Sequence, residues 1–190
     1  GERLDGVPSR SLASLLAALA KARVADPGLQ TLLLRAAQER AARRALTVGQ
    51  AASVLSSAAA SSLLWTAPAL VEDLLRDMAP ALLALPPASF SIQHCALLAS
   101  AFAKAKVFDE AIFRHISRAV RLPERAPHEF SVEAVGVLLF AFSRVQAEDP
   151  ALLAFLEEVI VRLPAAEFSP QASLPPSLLL PLPVSLLYTH

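Results

Sequence analysis

Among the side chains of this sequence, the basic ones are best placed by type and spacing to do chemistry, and that chemistry is phosphate contact. Arg114, Arg118, Arg121 and Arg125 recur at i, i+4, i+7 and i+11, so a helix that ran this far would carry them as one stripe. Arg40, Arg43 and Arg44 cluster at the end of one helical segment, and Lys21/Arg23 and Lys104/Lys106 stand at matching ends of two others. Each such cation can neutralise a phosphate and add a salt-dependent term to RNA binding. A plainer reading competes: these are solvated faces whose cations complement helix C-terminal dipoles. Sequence-specific base reading needs aromatic or amide groups on the contact face, and Trp65 and Tyr188 are the only large polar aromatics.

Catalytic and metal chemistry find no support. The five glycines, Gly1, Gly6, Gly28, Gly49 and Gly136, form no phosphate-cradling loop. His94, His115, His128 and His190 lack ligand spacing. His94 and Cys95 are adjacent, and neighbours on a helix point about 100° apart, so they do not chelate together. Cys95 lies among apolar residues at a helical position and reads as a buried structural thiol. Glu157-Glu158 reads as a solvated helix face. We expect no catalytic residue, metal, cofactor or small-molecule substrate.

The elements that must position these groups are helices. The chain is 55% hydrophobic and 18% charged, rich in Ala and Leu and poor in β-branched and aromatic residues. Its formal net charge is zero, but residues 1–46 carry +4, 47–89 carry −2, 90–127 carry +3 and 128–168 carry −5. A whole-chain electrostatic argument for nucleic acid therefore fails, while a regional one survives. Two stretches lack charge, 45–71 and 168–190. The first holds Gln50, Thr47, Thr66, several serines and Pro68 and divides into two helices; the second holds five prolines, so neither reads as a membrane span. The chain opens on Gly1 rather than an initiator Met, which leaves room for a targeting segment ahead of it.

An internal repeat organises the helices. FSIQHCALLASAFAKAKV (90–107) and FSVEAVGVLLFAFSRV (130–145) both open Phe-Ser and reach Ala-Phe-small-basic eleven residues later. SLASLLAALAKARV (11–24) matches the end of this block, LTVGQAASVLSSAAAS (46–61) is a degenerate copy, and Phe168-Ser169-Pro170-Gln171 opens a fifth. Openings at Val7, Leu46, Phe90, Phe130 and Phe168 are spaced 39, 44, 40 and 38 residues, a period of one helix pair per unit. First helices should start after Thr47, Ser91 and Ser131; second helices should start after Asp26, Ala67, Asp109 and Asp149, and at Asp26-Pro27 and Asp149-Pro150 an N-cap is followed by an N1 proline. Pro80, Pro86-Pro87, Pro123, Pro127 and Pro164 should follow the second helices and close the units. The expected fold is an all-α solenoid of about four helix-turn-helix repeats (7–45, 46–89, 90–129, 130–167) within 1–167, with a degenerate repeat start and an extended Pro/Leu-rich tail over 168–190.

The unit Phe-Ser-x-Gln-x-x-Ala-Leu-Leu-Ala-Ser-Ala-Phe-Ala-Lys-Ala resembles the octotricopeptide and heptatricopeptide repeats of organellar RNA-binding proteins of algae and apicomplexan parasites. It is also similar to the helical part of FAST-kinase-like and RAP-domain proteins. Phe90, Ser91, Gln93, Ala96, Ala101, Phe102, Ala103 and Lys104 match best; in the next unit Phe130, Ser131, Ala134, Ala141, Phe142, Ser143 and Arg144 match, with Glu133 in place of Gln. Pro175-Pro176 breaks the fifth copy, and no RAP domain is visible. The resemblance spans roughly residues 7–171. It implies mitochondrial or plastid RNA biology: transcript maturation, or a part of an organellar ribosome.

Together these readings lead us to expect a non-catalytic, RNA-associated subunit of an organellar ribonucleoprotein, the mitochondrial ribosome before others. An organellar RNA-processing factor and a protein-binding scaffold of a mitochondrial membrane complex are the alternatives. RNA, rRNA first, would be held through phosphate contacts. A mean hydropathy of +0.50 suits a chain surrounded by other protein subunits, which would meet the apolar repeat ends and the tail 174–190.

Overall fold

Asp-Pro and Phe-Ser do what local chemistry asks of them. In the computed structural model, which describes residues 6–22, 24, 26–43 and 45–163, every regular element among the described residues is a helix. The first pair is α1 (Ser9–Lys21) and α2 (Pro27–Ala42). The second is α3 (Val48–Ala60), a one-turn helix α4 (Leu63–Thr66) and α5 (Pro68–Leu83). The third is α6 (Ile92–Lys104) and α7 (Glu110–Val120), and the fourth is α8 (Val132–Arg144) and α9 (Pro150–Arg162). Asp26, Asp109 and Asp149 accept the backbone N–H groups of Leu29, Ile112 and Leu152 at 3.0, 3.1 and 2.9 Å, and so start α2, α7 and α9. Thr47, Ser91 and Ser131 do the same for Gln50, His94 and Ala134, while Ala67, lacking an acceptor, starts α5 with Pro68 alone.

The first helices end alike. Val24, Val107 and Ala147 each donate a backbone hydrogen bond five residues back, to the Leu19, Phe102 and Phe142 carbonyls. In the last two this places Lys106 and Gln146 at φ 57° and 55°, the left-handed position of a Schellman cap that usually falls to glycine. A cap of this kind turns the chain sharply into the next helix.

Packing follows the repeat. Each first helix lies on the next, α1 on α3, α3 on α6 and α6 on α8; α2 packs on α5, and α5 on α7. The first helices touch more extensively than the second. Leu98, Ala101 and Phe102 of α6 and Ile112, Phe113, Ile116 and Val120 of α7 are buried, as their three-and-four spacing requires. Phe113 stands edge-on to Phe142 of the next pair, centroids 5.0 Å apart, and so links two units. Cys95 is fully buried.

Two expectations change. Pro80 does not close its unit: it sits inside α5, which runs on to Leu83 because Met78, Ala79 and Leu82 are buried. A proline this near a helix end removes one N–H and leaves most of the helix intact. The arginine stripe is also cut short. α7 stops at Val120, so Arg121 is its C-cap and Arg125 lies beyond it in the connection to α8. Pro86-Pro87 and Pro127 do follow second helices, where Pro87 and Pro127 open one-turn 3₁₀ helices. Pro164 and the tail fall outside the described residues. No helix among the described residues is long and apolar enough to cross a membrane.

Candidate nucleic-acid interface

The cations proposed from sequence separate into distinct groups. Arg40 donates to the Val7 carbonyl, just ahead of α1, at 2.5 Å, and to the Ala36 carbonyl at 3.3 Å. Lys21 ends α1, so the length of that helix, roughly 20 Å at 1.5 Å per residue, lies between them. The third pair repeats the arrangement. Arg125 reaches the Phe90 carbonyl before α6, while Lys104 ends α6. One group therefore belongs to the starts of the first helices and another to their ends. Arg23 and Arg44 fall outside the described residues.

Several of these guanidiniums are engaged in holding the fold. Arg125 has a side chain only 9% exposed and binds the Phe90 carbonyl, the Ala119 carbonyl at 3.2 Å and the Glu129 carboxylate at 2.7 Å. Glu129 also accepts from the Ala126 N–H, and that bond together with Arg125 holds its carboxyl below the usual range. Arg121 donates to the Ser117 hydroxyl at 3.2 Å and lies near Asp149. Arg114 pairs with Glu110 one turn earlier on α7. Lys21, Arg43, Lys104, Lys106 and Arg118 are exposed and form no ion pair among the described residues.

A groove lies along the first helices α6 and α8. Gln93, Leu97, Ser100 and Lys104 sit at i, i+4, i+7 and i+11 on α6. Exactly one period later, in the same spacing, come Glu133, Val137, Phe140 and Arg144 on α8. Ser56 of α3 and residues of both stripes line a groove of about 170 Å³. Lys104 stands at its edge, and partial burial lowers its pKa. An ammonium with no carboxylate partner among the described residues can take up an anionic group. Arg144 donates to the Ala103 carbonyl at 3.1 Å and lies over the Phe140 ring at 5.9 Å. Gln93 and Phe140 supply the amide and the ring that base contact calls for. The sequence reading passed over Phe140 and Arg144 as site residues, although the i, i+4, i+7, i+11 spacing with a 40-residue offset was there to find them. Trp65 is 84% exposed on the one-turn α4 and packs into no core.

Cys95, His94 and His115 take part in the packing and capping of the third helix pair. Burial pushes the Cys95 thiol up to about 12, far from a reactive thiolate. His94 completes the capping box of α6 with Ser91, and its ring lies 3.0 Å from where a Cβ on Gly49 would stand. His115 is buried against Phe90, ring centroids 5.0 Å apart. Among the described residues no group of three His, Cys, Asp or Glu could hold a metal ion. No family model, curated protein or solved structure matches the chain.

Proposed function

We propose that the chain is an α-solenoid of about four helix pairs that serves as a non-catalytic, RNA-associated subunit of an organellar ribonucleoprotein, with the mitochondrial ribosome as the first candidate. The observation that carries this reading is the groove along α6 and α8. It brings Lys104, which forms no ion pair among the described residues, together with Gln93, Glu133 and Phe140, and Lys106 stands two residues beyond. Phosphate contact through Lys104 and Lys106, joined by Lys21 on α1, needs no enzyme chemistry and tolerates a neutral chain. The solenoid reading is supported by first helices stacked on first helices at one repeat spacing and by bonds that span one period, such as Arg144 to Ala103 and Gln38 to Asp77. The organellar assignment rests on the repeat resemblance alone.

Exposed apolar residues on α9 favour a second role beside the first. Val161 is 85% exposed and Leu153 44%, on the last helix described. A face of that kind suits neighbouring protein subunits. The test is to purify the native complex from organelles and identify what accompanies the chain. Ribosomal RNA and ribosomal proteins are expected. Membrane-complex subunits without RNA would overturn the RNA reading and leave the protein scaffold.

A further inference from the structure

We propose that the pocket between the helix connections of the third and fourth pairs receives an arginine side chain presented by a partner protein. The pocket has a volume of about 270 Å³ and lies where α6 turns into α7 and α8 turns into α9. Its apolar part is Phe108, Phe113 and Phe142. Phe108 is 53% exposed although it leans on Phe113 with ring centroids 5.9 Å apart. A phenylalanine left this open, backed by two buried rings, offers a π face to a partner.

The charged part of the pocket sets the sign of that partner. Glu110, Glu148 and Asp149 line it; Arg114, also in the lining, is paired with Glu110, and Arg121 stands near Asp149. Asp149 uses one oxygen to cap α9, and its carboxyl stays ionised: burial raises its pKa, but hydrogen bonds from Ser117 and Leu152 and the nearby Arg121 outweigh this and hold it below the usual carboxylate value. Glu148 is exposed and forms no ion pair among the described residues. The pocket therefore carries a π face beside a carboxylate that forms no ion pair among the described residues.

A guanidinium satisfies both features at once. Its plane stacks on an aromatic ring, and its fork pairs bidentately with a carboxylate. An RNA phosphate meets the opposite: Glu148 repels it, and the two nearby arginines are already engaged with Glu110 and Asp149. This edge is accordingly a protein contact, set apart from the cationic ends of the first helices. The inference uses none of the residues on which the RNA reading depends, so either can fail alone.

The test is a titration of the whole chain with N-acetyl-arginine amide, followed by NMR at the Phe108 ring and the Glu148 side chain. The citrulline amide, uncharged and nearly the same shape, is the control. Saturable shifts at both residues are expected, with the citrulline compound at least about tenfold weaker, since about 1.4 kcal/mol corresponds to tenfold. Phe108→Ala and Glu148→Gln should each weaken arginine binding about fivefold; both side chains are exposed enough for circular dichroism to confirm an unchanged fold. Absence of saturable shifts, equal binding of the citrulline compound, or saturation of the same signals by single-stranded RNA would each overturn the proposal.

Discussion

Replacing Arg125 by Ala tests the claim that this arginine ties the end of the third helix pair to its beginning and is not part of an RNA-facing stripe. The guanidinium joins the connection after α7 to the chain entering α6 through the Phe90 carbonyl, and binds the Ala119 carbonyl and Glu129 as well. Its side chain is 9% exposed, so solvent cannot replace these bonds readily. Hydrogen bonds to charged groups are worth about 1.5–3 kcal/mol each, but bonds from one side chain do not add in full. Breaking a buried ionic network by removing one partner costs about 3–5 kcal/mol. We expect a loss of about 3 kcal/mol. For a domain of this size each kcal/mol moves Tm by about 2–4 °C, so Tm should fall by roughly 6–12 °C. Arg125→Lys keeps the charge but loses the fork and should fall between the two. Arg118→Ala, on an exposed side chain, should change stability by no more than about 0.5 kcal/mol. Thermal and urea unfolding followed by far-ultraviolet circular dichroism would measure this. An Arg125→Ala variant as stable as the parent would refute the reasoning and return Arg125 to the solvent-facing set.

Other consequences follow from the caps and the buried histidines. Burial, with Arg118 nearby, holds His115 below the usual histidine value of 6.5, and burial does the same for His94. The unfolded chain then takes up protons that the folded one resists, so stability should be full above about pH 6.5 and decline as the pH falls through the lowered folded-state values. His115→Phe installs the residue that the fourth pair has in the same place, where Phe155 faces Phe130 at 5.8 Å, and should stabilise the chain more at low pH than at high pH in urea titrations. An equal effect at both would contradict the assignment. Lys106→Gly relieves a φ of 57° and should stabilise by about 0.5 kcal/mol, the cost of a left-handed residue less the entropy cost of glycine, while weakening RNA binding. A destabilised Lys106→Gly chain would show that the Schellman cap has been misjudged.

Much of the fold was legible because it rests on short-range rules. Asp26, Asp109 and Asp149 as N-caps, the serine starts at Ser91 and Ser131, and the three-and-four burial of α6 and α7 need only a few neighbouring residues to specify them. What the sequence hid depends on packing that only the folded chain shows. Pro123 marks the end of α7 near Val120, but nothing local says that Arg125 turns back to Phe90, 35 residues earlier. Spacing alone placed Arg114 through Arg125 on one stripe, and the end of the helix divided them. Pro80 misled for a similar reason: a proline reads as a stop, and only the burial of Leu82 beyond it shows why α5 continues. The groove residues Gln93 and Phe140 were visible as types, but their meeting across two units requires α6 to pack on α8.

The central claim is that unpaired cations at the ends of the first helices contact RNA phosphates. The direct measurement is the salt dependence of single-stranded RNA binding by the parent chain and by a Lys21→Glu, Lys104→Glu, Lys106→Glu variant, over about 50–200 mM salt. Each phosphate contact on a single strand contributes a slope of about −0.7 in log affinity against log salt, so losing three should flatten the slope by about 2 and lower affinity throughout. A variant that stays folded and binds RNA with the parent's slope and affinity would contradict the account.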